Sequence, residues 1–555
     1  MVSIFKIMRK SFIILIIITL LGGYLRIIDI GNIPAGLNVD EVAIGYDAYS
    51  ILKTGKDMSG SFMPISFQSL GDYKAPLYTY LTSIVVAVFG LNEFSVRFIS
   101  AFFGTLAIPL IFFLTNNFFK NNKISVFSAL FLAISPWHIF YSRIVSESQV
   151  AMVLATLGLL ALIKFKNGNI LWGYISVFSM VSSMYAYHSE RLFLPLFFLI
   201  WAFINKSWLI VNKKKVALML LMGAILASPL LIDLVFGKST IRAGQQSIYN
   251  DINFLRQVFI TPEPVYTYFD PFYILFNQQW LYVIFFVIRK YLTFFQPDFL
   301  FFNALPILST GLYGLGVMYI FQAPIFLIGL IKAFSLKSDN KYLLPIWFSF
   351  GLLPAAITLA EYHTVRTMVV IPVLAIVSGV GLWVVLNWFM QIRNKFLKVA
   401  TGLVFFLVVS INLFQAFLMF HVHFPIEQSD TFMVGNKEVL AWIAENNNNK
   451  EEVVFDSRRF SNGQIIVSVP YLYYLFYTKY DPKAFQTLFN DHPDNQLKIN
   501  NFTFRDIDWR TDRGQSDILF IGSPWTLPEE DLTEATILKK IYLPNGNETL
   551  RVVAP

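Results

Sequence analysis

The sequence contains no cysteine in 555 residues. Disulfides and thiolate metal sites are thereby excluded, and the redox state of the compartment is not legible from that absence. Charge is scarce. Asp, Glu, Lys and Arg make up 14% of the chain, against roughly 25% in average soluble domains. With 56% hydrophobic residues, this excludes an ordinary soluble chain and points to a polytopic membrane protein. There is no internal repeat, and no low-complexity tract beyond Asn446 to Asn449. No A-x-A-like cleavage site follows the basic start Met1 to Lys10 and the apolar run Phe12 to Leu21. That start therefore reads as an orienting first span rather than a signal peptide.

The abundant residues fit the same class. The 57 Phe and 26 Tyr suit lipid-facing surface and interfacial belts. The net charge of +8 is explained by cytoplasmic Lys/Arg loops, not by nucleic-acid binding. A span needs about 20 mostly apolar residues. The pattern predicts about eleven transmembrane helices, at 11–28, 95–117, 124–140, 150–165, 171–187, 192–205, 216–235, 317–335, 342–359, 368–389 and 397–419. One set of connecting loops carries the cations: Lys6, Arg9, Lys10; Lys120, Lys123; Lys164, Lys166; Lys206, Lys213 to Lys215; Lys332, Lys337, Lys341; Arg393, Lys395, Lys398. The positive-inside rule makes that set cytoplasmic. The N-terminus is then inside, and the first outer loop (29–94) and the long outer loop (236–316) face outward. Residues 77–90 and 279–294 are apolar but short or charge-broken, and are expected to lie in the outer interface. The expected location is an integral protein of a prokaryotic plasma membrane.

Composition changes after about His423. "EEVVFDS" (451–457) and "SDILFIG" (516–522) read as strands and "NKEVLAWIAENN" (436–447) as a helix. A transmembrane domain at 1–423 thus precedes a small extracytoplasmic α/β domain at 424–555.

Ionisable groups at a membrane face are costly unless used, so those on the outer side are candidate functional residues. The first loop carries Asp40 and Glu41 within "PAGLNVDEVAIGY", then Asp47 and Asp57, and Asp72 and Lys74 within "GDYKAPLY". "SPWHIFYSRIVSESQ" adds His138, Arg143 and Glu147; "YAYHSERLFLP" adds His188, Glu190 and Arg191; "EYHTVRTM" adds His363 and Arg366. A carboxylate can take a proton from an attacking hydroxyl. Arg and Lys can hold a phosphate and stabilise its charge as it leaves. A base facing such a clamp at a lipid interface suits group transfer from a lipid-linked phosphate, because nucleotide sugars are cytoplasmic and this site is not.

The ordered set "GLNVDEVAIGYDAYSILKTGKD", "GDYKAPLYTYL" and "FGLNEFSVRFISAFFGT" resembles the first loop and second span of GT-C fold membrane glycosyltransferases, in the branch of protein O-mannosyltransferases and the lipid A aminoarabinose transferase. "PDFLFFNALP" and "GLYGLGVMYIFQAPIFLIGL" resemble the later part, whereas residues 424–555 resemble nothing nameable. The resemblance implies an inverting transferase using a polyprenyl-phosphate sugar. Asp40 would be the general base, and Glu41 would orient it or bind the acceptor. The family's loop lysine before a proline falls on Lys74, although Ala75 intervenes before Pro76. The second acidic position, after Tyr141-Ser142-Arg143, falls on Glu147, with Asp72 as a further acceptor-side acid. Lys74, Arg143, Arg191 and Arg366 would neutralise the leaving phosphate. No cofactor is required and no metal site is expected. The acceptor is a glycan, a protein or a lipid.

Each residue also has a plainer reading. Asp40 could cap a helix beginning at Glu41. Lys74 could snorkel to headgroups, and Arg97, Arg143 and Arg191 could anchor span ends. His138, His188 and His363 lack a metal-ligand spacing and read as structural. The sequons at Asn501 and Asn547 are explained by chance. A flippase of lipid-linked sugars would call for charges near the bilayer midplane and for internal repeats, and neither is seen. A scaffold that merely presents 424–555 would not need so many spans.

Overall fold

The computed structural model describes residues 2–69, 71–237, 279–302, 314–336, 338, 340–358, 364–446, 452–461, 464–491, 497–533 and 535–555. Of the candidate residues, His363 lies outside the described residues, as does most of the long loop 236–316, with its Lys238, Arg242 and Asp270.

The first half runs α1 (Val2–Ile27), α2 (Val39–Thr54), β1 (Phe67–Ser69), β2 (Asp72–Lys74), α3 (Pro76–Phe89), α4 (Glu93–Phe119), α5 (Asn122–Ile134), α6 (Pro136–Arg143), α7 (Glu147–Lys166), α8 (Ile170–Ala186), α9 (Glu190–Ile204), α10 (Lys206–Val211) and α11 (Lys213–Phe236). Helices Gln279–Thr293, Gln322–Ser335, Leu343–Ala356, Ile371–Gln391 and Lys395–Leu418 follow. Among the described residues, six helices are long and apolar enough to cross a membrane, or seven if a bent pair counts as one span. Four more apolar helices, α3, α8, Gln322–Ser335 and Leu343–Ala356, fall short of that length. The chain is therefore a mostly helical, polytopic membrane protein; the described residues show six or seven full-length spans beside these shorter helices, and the expected number of eleven is not confirmed.

The span expected at 124–140 is two helices. α5 ends at Ile134, and α6 leaves it at 53°. Ser135 caps α6, and Pro136 occupies its first position. Proline has no N–H to continue the α5 ladder, and its fixed φ favours a helix start.

The last long helix continues through a π-turn and a short helical piece to Glu427, so it runs past the expected boundary at 424. Beyond it a six-stranded sheet has the order β6-β7-β3-β8-β10-β9. Its strands are β3 (Glu452–Asp456), β6 (Leu497–Ile499), β7 (Phe502–Arg505), β8 (Ile518–Gly522), β9 (Thr536–Tyr542) and β10 (Glu548–Ala554); β4 (Arg458–Ser461) and β5 (Gln464–Val467) form a separate hairpin. β3 lies parallel to both β7 and β8, and the outer strands pair antiparallel. The strands expected at 451–457 and 516–522 are thus the neighbours β3 and β8. The helix expected at 436–447 spans Asn436–Asn446.

The C-terminal sheet domain packs on α2. Val42, Ala43 and Tyr46 of α2 share one apolar core with Leu472, Tyr473, Phe476 and Phe485. Polar contacts fasten the same face: Tyr473 Oη donates to Leu37 O (2.9 Å), Tyr46 Oη to Tyr480 O (3.1 Å), and Gln486 Nε2 to Ser50 Oγ (3.0 Å) and Asp57 O (2.9 Å). Gly45 is needed here, because a Cβ would stand 2.6 Å from the Phe476 ring and 2.8 Å from Val96.

Candidate active site

The site is built around the start of α2. Asn38 is its N-cap: its side chain accepts from Glu41 N (2.9 Å), and Glu41 Oε2 accepts from Asn38 N (3.1 Å). This reciprocal pair is a capping box. It corrects the expectation that Asp40 caps the helix. Asp40 stands in the first turn, at the positive end of the helix dipole, with its side chain projecting outward and 72% exposed.

Lys74, at the end of β2, meets it. Lys74 Nζ lies 2.6 Å from Asp40 Oδ1, and the lysine side chain is only 7% exposed. The β1–β2 hairpin sets this position, pairing Phe67 with Lys74 and Ser69 with Asp72. Asp72 Oδ1 accepts from Tyr73 N at 2.7 Å. On the same hairpin, His188 Nε2 meets Tyr73 O at 3.1 Å, which fastens the 187–190 turn against β2.

Glu41 points the other way. It is fully buried and paired with Arg97, which is also fully buried. Arg97 Nε donates to Glu41 Oε1 (2.9 Å) and Nη2 to Oε2 (2.8 Å), a bidentate fork. Val145 N also donates to Glu41 Oε1 at 3.0 Å. The rest of the guanidinium reaches the carbonyls of Ile30, Pro34 and Gly36. Arg97 was expected as an interfacial anchor and Glu41 as a partner of Asp40 or of the acceptor. Arg97 is no interfacial anchor, and Glu41 has its lone pairs committed to the scaffold. An N-x-x-E spacing before an apolar run was the sequence signal that could have revealed the cap.

Arg143, expected as a phosphate ligand, makes its contacts with the scaffold. It is buried, and its guanidinium donates to the carbonyls of Leu25 (3.0 Å), Ile28 (2.9 Å) and Ile33 (3.0 Å), tying the end of α1 to the first loop. Arg26, which the sequence reading passed over, does similar work, donating to Leu132 O, Ala133 O and His138 Nδ1. His138 is thus structural, as expected.

Glu147 opens α7 beside this centre. In the turn before it, Val145 meets Glu41 and Ser146 N donates to Ser100 Oγ at 2.9 Å. Arg366 lies in the 364–367 turn. That turn meets α6 through Tyr141 Oη and Thr364 Oγ1 (2.6 Å), and the following Met368 meets α7 through Ser148 (2.9 Å). Arg191 is half-buried at the start of α9, and its Nε donates to Met184 O at 3.1 Å. The first loop, the 145–147 turn and the 187–191 and 364–368 turns thus meet at one end of the helical body.

One group there is electrostatically unusual. Burial pushes the Asp47 carboxyl well above the ordinary range, although Met58 N donates to it (2.9 Å) and Lys74 opposes the shift. Beside the hairpin lies a cavity of about 480 Å³, lined mainly by apolar groups of the first loop, α3, α8 and α11, among them Pro64, Leu77, Tyr80, Phe178 and Leu226. Leu77 is three residues from Lys74.

Residues 73–232 match the family of dolichyl-phosphate-mannose-protein mannosyltransferases. ArnT from Cupriavidus metallidurans has a similar fold over nearly the whole chain. Its apo structure aligns with a TM-score of 0.54 and 13% identity, covering 98% of this chain and 97% of that one. Its structure bound to undecaprenyl phosphate aligns with 0.54 and 11%, covering 97% of each. The chain shares the fold of ArnT. The Archaeoglobus fulgidus oligosaccharyltransferase, tethered to an acceptor peptide, aligns with a TM-score of 0.50 and 14% identity over 97% of this chain and 74% of its own. No curated protein matches in sequence. The family match includes Lys74, Glu147 and Arg191 but ends before Arg366 and begins after Asp40.

Proposed function

We propose that the protein moves a sugar from a polyprenyl-phosphate donor to an acceptor hydroxyl on the outer face of a prokaryotic plasma membrane. The observation that carries this reading is the Asp40–Lys74 pair. It supplies a carboxylate base and a cation for phosphate, and the residues that follow Lys74 in the chain, Pro76, Leu77 and Tyr80, line a largely apolar cavity that an isoprenoid chain could enter. ArnT, whose fold is similar, binds undecaprenyl phosphate.

In this mechanism the donor phosphate takes Lys74 from Asp40. The freed carboxylate accepts the acceptor's proton. The acceptor oxygen forms a bond to the anomeric carbon as the bond to the phosphate oxygen breaks, and the bonding pair leaves with the polyprenyl phosphate. One displacement inverts the anomeric centre. Lys74, Arg191 and Arg366 offset the charge on the departing phosphate. This leaving group needs no proton at neutral pH, so one carboxylate suffices where glycosidases use two. The reading invokes no metal. Glu147 and Asp72 serve on the acceptor side. Glu41 and Arg143 hold the scaffold in place and do not touch the reacting groups.

The test is transfer in proteoliposomes loaded with a polyprenyl-phosphate sugar. Radiolabel should pass to the acceptor fraction with wild type. Movement of the lipid across the bilayer without transfer would replace this reading with that of a flippase.

A further inference from the structure

α5 and α6 meet at a break whose backbone groups must be accounted for. A helix end leaves its last four carbonyls without intrahelical donors. At membrane depth each of them needs another partner. For α5 these are the carbonyls of Phe131, Leu132, Ala133 and Ile134. Arg26 donates to Leu132 O (3.0 Å) through Nη2 and to Ala133 O (2.9 Å) through Nη1. Tyr319 Oη donates to Ile134 O (2.8 Å). Phe131 O is the fourth. In a regular ladder it would take Ser135 N, but that N–H turns to Leu132 O at 3.3 Å.

Beside Phe131 lies a cavity of about 10 Å³, the scale of a single water molecule. Phe131, Ser135, Trp137 and Gln322 line it, with apolar groups that include Val317 and Leu374. Two donors stand on this lining. Trp137 Nε1 is buried without a hydrogen-bond partner among the described residues. Gln322 is buried too. Its Oε1 accepts from Tyr319 N (2.8 Å), and its Nε2 donates to no group among the described residues. Ser135 is already engaged, accepting from His138 N at Oγ and from Ile139 N at its carbonyl. A buried donor without a partner is costly, and here two such donors and one carbonyl border the same small space.

The lining selects the ligand. Among the described residues no charged side chain lines the cavity, so an anion would have no counter-charge. A metal ion would face two N–H donors. An organic group exceeds the volume. One water fits, because it can accept twice and still donate to a carbonyl.

We infer that the break between α5 and α6 binds one ordered water molecule, which accepts from Trp137 Nε1 and Gln322 Nε2 and donates to Phe131 O. About three hydrogen bonds are usual for a buried water. This one joins α5, α6 and the helix Gln322–Ser335 where the chain turns by 53°. α6 carries Tyr141 and Arg143, which fasten the 364–367 turn and the first loop. The water is thus a joint in the support of the candidate site. The inference does not depend on the transfer reading.

The experiment is a cryo-EM or crystallographic map of the full-length protein at a resolution that shows ordered water. One peak is expected about 3 Å from each of Trp137 Nε1, Gln322 Nε2 and Phe131 O. A map that shows other buried waters but no peak there overturns the inference. So does Trp137 Nε1 bonded directly to a protein acceptor. In parallel, Trp137→Phe and Gln322→Leu should each lower the melting temperature in detergent. The double variant should lower it by less than the sum of the two shifts, because both substitutions remove bonds to one water. Additive shifts overturn the inference. If a variant fails to fold, the map decides.

Discussion

Lys74 Nζ and Asp40 Oδ1 stand 2.6 Å apart, with the lysine buried under the hairpin and the aspartate open to the surroundings. A buried ammonium cannot easily leave its place, so the incoming phosphate must come to it. The carboxylate, being exposed, is the partner that can change company.

Asp40→Asn keeps the size of the side chain and removes the base. Transfer in proteoliposomes should fall by about a hundred- to ten-thousand-fold, with the thermal midpoint unchanged. Retention of wild-type transfer would remove Asp40 from the base role.

Lys74→Met should act on donor binding. Loss of a charged hydrogen bond of about 1.5–3 kcal/mol raises the donor KM about ten- to a hundred-fold, and Lys74→Arg should recover part of it. Initial rates against donor concentration check this. A change confined to kcat would count against a phosphate contact.

Glu41→Gln separates the scaffold from the chemistry. It leaves Arg97 buried without its counter-charge, and breaking such a pair costs about 3–5 kcal/mol. The melting temperature in detergent should drop sharply, unlike that of Asp40→Asn. An unchanged melting temperature would show that the fork contributes little.

Asp47 makes stability depend on pH. Its folded-state pKa is raised by burial, so the folded chain holds the proton more tightly than the unfolded chain. Its contribution is fully present below the ordinary carboxylate range and is lost as pH rises through the raised value. Asp47→Asn can still accept from Met58 N. It should match wild type in acid and melt at a higher temperature than wild type at alkaline pH. Parallel melting curves from pH 4 to pH 9 check the sign.

Gly45→Ala tests the contact between the halves. The added Cβ would press on Phe476 and Val96, and overpacking of this kind costs about 1–3 kcal/mol. Limited proteolysis should then release the C-terminal domain more readily than in wild type.

Much of this was legible in the sequence. The apolar runs and the shift in composition after His423 revealed the helical class and the C-terminal sheet, because solvent dictates those patterns directly. Asp40 and Lys74 were legible because they share one polar loop. Glu41 and Arg97 were not, because a buried pair between residues 56 apart in sequence looks locally like two ordinary membrane-edge charges. The three carbonyls held by Arg143 are invisible to any side-chain pattern. The break at Pro136 was readable in principle, but hydrophobicity carried the span straight through it. The packing of the C-terminal domain on α2 depends on shape, and no periodicity records shape.

That packing has a consequence for the order of synthesis. α2 is made among the first residues, while Leu472, Tyr473, Phe476 and Phe485, which cover it, are made among the last. A ribosome that has made Lys395–Leu418 but not yet residues 472–485 still holds a chain whose α2 lies uncovered on one side. The cradle of Asp40 is completed only when the C-terminal sheet folds back, so a chain truncated before that sheet would reach the membrane with its site unfinished.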